Sequence, residues 1–244
     1  MTERLTLALP SKGRLMDNCI ETFAKAGFHI TKSAASRDYR GSVAGRPDIE
    51  IRFVSASEIA QLLRVGDVHL GVTGEDLMRE TSAEIDQRVD FEAKLGFGHA
   101  DVVVAVPACW LDVRGLADLE PMAMRFRRQH GRRIRVATKY LNLTRHYFAA
   151  AGVISYRIVE SLGATEGTPA AGQAELIVDI TSSGATLAAN GLKVLDDGIF
   201  FRSEANLIRS KTARWTPEFA ALAGEIVGAV TQAVVPADHV GRSF

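Results

Sequence analysis

Strand-like and helix-like apolar patterns alternate along this chain, and that alternation restricts its fold more than any other feature. The runs LTLALP (5–10), IEIRFV (49–54), VHLGVTG (68–74), ADVVVAVP (100–107), RIRVATK (133–139), YRIVE (156–160), ELIVDI (175–180) and EANLI (204–208) read as strands. Between them lie stretches with helical spacing. In 11–27, Leu15, Met16, Cys19, Ile20, Phe23 and Ala24 mark one face, and Gly27 is a stop. Ser55 and Glu58 form a capping-box pattern ahead of a short helix that Gly66 closes. LTRHYFAAAG (143–152) and GATLAANG (184–191) are further helices. TPEFAALAGEIVGAVTQAVV (216–235) is the last, with Pro217 at a permitted first-turn position. Such alternation predicts an α/β protein with largely parallel sheets. The arginine-rich RFRRQHGRRIR (125–135) and the segment 163–175 read as loops or frayed surface.

At 244 residues the chain is long enough for one or two domains. Lys plus Arg equals Asp plus Glu at 29 each, so the net charge provides no drive towards nucleic acid or an acidic membrane. Cys19 and Cys109 lie in no metal-ligand or disulfide spacing and read as small core residues. No apolar segment reaches membrane-spanning length, and the N-terminus lacks a signal-peptide pattern. The expectation is a soluble cytoplasmic protein.

The richest chemistry lies in ELIVDITSSGAT. A strand ends near Ile180 and a helix begins near Ala185, leaving backbone N–H groups without helical partners. A helix N-terminus attracts anions, and Gly184 allows an oxygen to approach closely. Thr181, Ser182, Ser183 and Thr186 add hydroxyls, so the segment makes a phosphate cradle. Asp179 stands at the carboxyl end of the strand, where α/β ligands bind, and would hold sugar hydroxyls or reach a metal ion. Phosphate with ribose hydroxyls is the profile of a phosphoribosyl ligand. The same residues would also serve as a hydroxyl-rich helix cap with no ligand.

ELIVDITSSGATLAANGL resembles the phosphoribosyl-pyrophosphate loop of the ATP phosphoribosyltransferases. Four other stretches match that family in the same order: LALPSKGRL, GDVHLGVTGEDLMRE, RVATKYLNLTRHYFAAAG and LGATEGTPAAG. The resemblance covers about residues 4–210. It implies an enzyme joining ATP N1 to 5-phosphoribosyl 1-pyrophosphate, with Mg2+, in the first step of histidine biosynthesis. It also implies a two-lobed fold of the type II periplasmic-binding kind, with the active site in the inter-lobe cleft. Lobe I would be 1–105 plus 188–244, and lobe II 106–187.

Carried over residue by residue, Thr181, Ser182, Ser183, Gly184, Ala185 and Thr186 would hold the ribose 5-phosphate, with Asp179 on the ribose hydroxyls and Glu166 acting on the ribose or a metal. Lys12, Arg14 and Arg37 would be the catalytic cations near the phosphates, and Gly13, Gly74 and Asp76 would serve ATP. On sequence alone Lys12 and Arg14 also fit exposed turn charges. Ser183 stands where the family commonly shows threonine, and Glu75 where a lysine is frequent. Magnesium would be held mainly by substrate phosphates. The chain's length resembles the short form of the family. That implies a homodimer within a hetero-oligomer whose second subunit is histidyl-tRNA-synthetase-like and regulatory, with no nucleic-acid or membrane partner.

A non-catalytic small-molecule binding protein would use the same two-lobed fold. It would leave Lys12, Arg14 and Arg37 beside a ribose-type loop without a purpose.

Overall fold

A computed structural model describes residues 4–32, 39–161 and 163–234. In chain order the elements are β1 (Leu5–Pro10), α1 (Gly13–Lys25), β2 (Ile30–Lys32), β3 (Arg40–Val43), β4 (Arg46–Val54), α2 (Ala56–Val65), β5 (Leu70–Gly74), α3 (Glu75–Thr81) and β6 (Val89–Lys94). They continue as β7 (Ala100–Pro107), α4 (Leu116–His130), β8 (Ile134–Thr138), α5 (Leu141–Ala150), β9 (Tyr156–Glu160), β10 (Leu176–Thr181), α6 (Ala185–Ala189), β11 (Leu192–Ser203), β12 (Ala205–Ser210) and α7 (Pro217–Val234). Among the described residues no helix is long and apolar enough to cross a membrane.

The chain forms two compact units. Unit 1 comprises Met1–Gly98 and Glu204–Phe244, and unit 2 His99–Ser203. The boundaries therefore lie at 98/99 and 203/204, not at 105/106 and 187/188 as the sequence reading placed them. The reason is strand pairing. β7 pairs with β10 and with β11, so both β7 and β11 belong to the sheet of unit 2.

Unit 1 holds a seven-stranded sheet in the order β2-β3-β4-β1-β5-β12-β6. β1 runs parallel to β4 and β5, while β12 is antiparallel to β5 and β6. Leu5, Leu7 and Leu9 of β1 pack with Phe23 of α1 and Ile226 of α7 on one side of the sheet, and Ile59 and Leu63 of α2 pack on Ala8 and Ile208 on the other. Ser55 caps α2, its hydroxyl accepting the Glu58 N–H at 3.2 Å, and Gly66 ends the helix in the left-handed region. Cys19 is wholly buried here, and burial pushes its thiol up to about 12.

Unit 2 holds a five-stranded sheet in the order β11-β7-β10-β8-β9. β8 runs parallel to β9 and β10; β7 is antiparallel to β10 and β11. Both sheets are thus mixed, with parallel pairing only at β1, β4 and β5 and at β8, β9 and β10 among the described residues, less than the sequence suggested. Two other expectations fail. The arginine run belongs largely to α4, whose buried Leu116, Leu119 and Ala123 recur at helical spacing. Cys109 is exposed, not a core residue.

Candidate active site

The carboxyl ends of β8, β9 and β10 come to one edge of the unit 2 sheet, because all three run in parallel. The register sets Leu176 opposite Val136, Ile177 opposite Ala137, and Thr138 opposite Glu160. That edge is where ligands bind in open α/β sheets. It is tied together locally: the Thr138 hydroxyl accepts the Tyr140 N–H at 2.8 Å, and Ser161 donates its N–H to the Thr138 carbonyl at 3.0 Å.

β10 runs at this edge into the loop expected to hold phosphate. Thr181 is still paired with Asp101 of β7. The chain then turns through Ser182, Ser183 and Gly184 into α6. Gly184 has φ +73° and ψ −6°, a left-handed conformation that disfavours a side chain, although a Cβ there would meet nothing within 4 Å. Its N–H donates to the Thr181 hydroxyl at 2.8 Å, and the Ala185 N–H reaches the Ser183 hydroxyl at 3.4 Å. Ser182 donates to the His99 carbonyl at 3.2 Å. Leu187 is buried and anchors α6 in the unit 2 core beside Ile177.

α6 is only five residues long, shorter than the helix read from 184–191. Its aligned dipole is correspondingly small, so attraction for an anion comes from local N–H groups and hydroxyls. The loop borders a cavity of about 320 Å³ lined by Glu166, Asp179, Ile180, Thr181, Ser182, Ser183, Thr186 and Leu187.

Two carboxylates share this cavity. Burial raises the Asp179 carboxyl above the ordinary aspartate value. The Ile180 N–H donated to its Oδ1 at 2.8 Å, the positive charge of Lys139 and the Thr165 hydroxyl oppose that rise, while the charge of Glu166 adds to it. Glu166 lies in a 3₁₀ turn, Thr165–Gly167, that follows Ala164 at φ +50° and ψ +39°. Ala164 is the one non-glycine residue with positive φ among the described residues, and it sits directly before the two residues that face Asp179. Thr165 is buried and donates to the Ser161 hydroxyl at 3.1 Å. Its single proton is therefore contested between Ser161 and Asp179. Among the described residues no three His, Cys, Asp or Glu side chains gather as a metal site.

The remaining predicted residues lie in unit 1. Lys12 is extended, with φ −157°, just past β1, and Gly13 follows at φ +71°. Lys12 and Arg14 are exposed, and among the described residues neither is closed into an ion pair. Gly74 precedes α3, with φ −71° and ψ 144°. Asp76 is only 5% exposed, at the packed start of α3. Glu75 pairs with Arg79 at 2.8 Å, one turn along the same helix. Arg37 lies outside the described residues.

Sequence reasoning missed Lys139 and Thr165. Both stand in stretches singled out for other reasons, ATKY and GATEGTP, and it is the parallel pairing of β8 with β10 that brings the end of β8, with Lys139 just beyond it, to the edge that carries Asp179, forty positions away in the chain.

A family model described as ATP phosphoribosyltransferase matches residues 55–229. The ATP phosphoribosyltransferase of Afipia carboxidovorans is 61% identical over 218 residues, covering 89% of this chain and 67% of that protein. This chain thus spans about two thirds of the length of that relative. Among solved structures, the ATP phosphoribosyl transferase (HisG:HisZ) complex from Thermotoga maritima aligns with TM-score 0.72 and 23% identity, over 94% of this chain and 97% of that one. The arginine-, lysine-, histidine-binding protein ArtJ from Geobacillus stearothermophilus aligns with TM-score 0.56 and 11% identity, over 95% and 90%. At these identities the structural likeness is one of fold, that of the type II periplasmic binding proteins.

Proposed function

The chain belongs to the ATP phosphoribosyltransferase family, and from that premise we propose that the Thr181–Thr186 cavity of unit 2 holds the ribose 5-phosphate end of its sugar substrate. Enzymes of the family join ATP to 5-phosphoribosyl 1-pyrophosphate, release pyrophosphate and so open histidine biosynthesis. The adenine N1 lone pair forms the new bond to the anomeric carbon as the bond to pyrophosphate breaks, its electron pair leaving with the pyrophosphate. N1 needs no deprotonation before attack, so the chemistry asks for in-line placement and for cations around the leaving group.

The observation that carries the proposal is the state of the loop. The Gly184 N–H is held by the loop's own Thr181 hydroxyl, and the Ala185 N–H by Ser183 at longer range. A phosphate oxygen would replace those acceptors, and each hydroxyl, released, would turn and donate to the phosphate. Asp179 and Glu166 repel phosphate and suit ribose hydroxyls. Lys12 and Arg14, exposed and unpaired among the described residues, take the pyrophosphate, with Arg37 as a third cation. Gly13 and Gly74 leave the backbone accessible to ATP. Asp76, buried at the start of α3, is the third residue of that ATP-binding set.

Magnesium enters on the phosphate oxygens of the substrate. That suits a hard cation that keeps several waters and needs few protein ligands. By likeness to the Thermotoga maritima complex, the functional assembly pairs this chain with a histidyl-tRNA-synthetase-like regulatory subunit, as in the short form of the family, around a homodimer. The assembly works in the cytoplasm, where ATP and phosphoribosyl pyrophosphate are made.

The test is pyrophosphate release from ATP and phosphoribosyl pyrophosphate with magnesium, with and without a HisZ-type partner. Arg14→Ala should lower kcat/KM by roughly 30- to 1,000-fold, the effect of about 2–4 kcal/mol of lost transition-state stabilisation. Asp179→Asn should weaken binding of the sugar substrate. Release unaffected by either substitution would place the site elsewhere.

A further inference from the structure

The cavity read as the phosphoribosyl site has an unbalanced charge. Among the described residues its lining contains two carboxylates, Asp179 and Glu166, several hydroxyls and no cation. Phosphate would be disfavoured there unless a positive group stood close by.

Strand register supplies one. Ile177 of β10 lies opposite Ala137 of β8 in a parallel pair. Asp179 lies two residues past Ile177, and Lys139 two past Ala137 and one past the end of β8, so both follow this pair towards the same edge of the sheet. Lys139 is half-buried, and its ammonium lies 5.0 Å from the centroid of the Tyr140 ring, which is itself wholly buried and so makes a fixed platform. Among the described residues Lys139 is closed into no ion pair, so its charge remains available to the cavity.

The other groups around Asp179 do not substitute for it. Its partner on β7 is the apolar Val103. Asp101, opposite Thr181 on the same strand, adds negative charge and is 3.9 Å from Arg202 of β11. Glu160, at the end of β9, is a further acid at this edge. From the 3₁₀ turn come the neutral Thr165 hydroxyl and the repelling Glu166. Lys139 is the cation whose charge opposes the effect of burial on Asp179.

We propose that Lys139 is a positioning residue for phosphoribosyl transfer: held on Tyr140 at the end of β8, it balances the Asp179–Glu166 pair and keeps Asp179 a carboxylate that can accept from ribose hydroxyls. The proposal rests on reading the cavity as the phosphoribosyl site, and the experiment separates the two.

Binding of ribose 5-phosphate to the full chain is measured by calorimetry across about pH 5–9 for wild type, Lys139→Met, Lys139→Arg and Asp179→Asn. The ligand's own second phosphate ionisation, near pH 6, affects every protein alike, and Asp179→Asn defines that baseline. In Lys139→Met the acid-side loss of affinity should begin at a higher pH than in wild type, so binding is several-fold weaker than wild type at the acid end of the range and the gap closes as pH rises. Lys139→Arg should follow wild type. Circular dichroism confirms folding, and Lys139→Gln replaces Lys139→Met if the latter does not fold. A Lys139→Met profile that matches wild type, or one weakened equally at every pH, overturns the positioning role. Failure of wild type itself to bind ribose 5-phosphate overturns the reading of the cavity.

Discussion

Glu175, one residue before β10, offers a perturbation whose size follows from the structure. Arg132 reaches its carboxylate with two hydrogen bonds of 3.0 and 2.9 Å. Arg135 of β8 adds its backbone N–H at 2.7 Å, Nε at 3.2 Å and Nη2 at 2.7 Å. Burial opposes ionisation, but the hydrogen bonds from Arg135 and then Arg132 outweigh it and hold the carboxyl at about 2, against a reference of 4.5. A drop of that size corresponds to a ceiling of about 3 kcal/mol. The Arg132 side chain is 45% exposed, so its share is screened; Glu175 itself is 11% exposed. Glu175→Gln should therefore cost about 2 kcal/mol at neutral pH. The carboxyl value is depressed by folding, so this stability is fully present above about pH 4.5 and disappears as pH falls from there towards 2. Urea unfolding, followed at Trp110 of unit 2 in a Trp215→Phe background, would read the gap at several pH values. The same clamp holds β8 against β10, so Asp179 and Lys139 should lose alignment together and ribose 5-phosphate affinity should fall with stability. Equal midpoints at pH 7, or a gap that widens on acidification, would refute the reasoning.

Ala164→Gly should stabilise unit 2 by about 0.5–1 kcal/mol in a thermal melt, because relief of about 1–2 kcal/mol of left-handed strain exceeds the entropy that glycine adds to the unfolded chain. Gly184→Ala meets no neighbouring atom, so its stability loss should stay near the conformational cost of about 1 kcal/mol, while ribose 5-phosphate affinity measured by calorimetry falls more steeply. Thr181→Val removes the acceptor of the Gly184 N–H and should cost about 1 kcal/mol, together with a loss of phosphate affinity in the same titration.

The site was legible where the signal is local. Leu176, Ile177 and Val178 are buried, Asp179 interrupts their apolar run within β10, and the hydroxyls and Gly184 follow within a few residues, so a single segment carries the features from which the candidate cradle is read. What was hidden depends on pairing across the chain. β7 looks like any strand, and nothing in 100–107 says that its partners begin at 176 and 192, so the unit boundary was set too late. β11 was missed because Asp196, Asp197 and Gly198 interrupt its apolar pattern. The sheet accommodates them by shifting register between Val194 and Ile199, and Gly198 has no room for a Cβ, with Leu195 and the Val104 carbonyl both 2.9 Å away. α4 was masked by Pro121 and by the arginines, which outweigh the quiet spacing of Leu116, Leu119 and Ala123. The burial of Asp76 at the start of α3 could not be read from its neighbours in sequence.

On the proposed reading of this loop as a phosphate cradle, the choice of hydroxyls follows from what it does with and without ligand. With no phosphate present, the Gly184 N–H still requires an acceptor. An aspartate at Thr181 would cap as well or better, but it would add a third negative charge to a cavity that already carries Asp179 and Glu166. An apolar side chain would leave the N–H without an acceptor. A hydroxyl is the small group that accepts from the backbone in one rotamer and donates to an anion after rotation about one bond. Thr181 and Ser183 can therefore stabilise the empty loop and the occupied loop in turn. Selectivity for a sugar phosphate over free phosphate then falls to the carboxylates beside them, which repel any anion that does not also present hydroxyls to satisfy them.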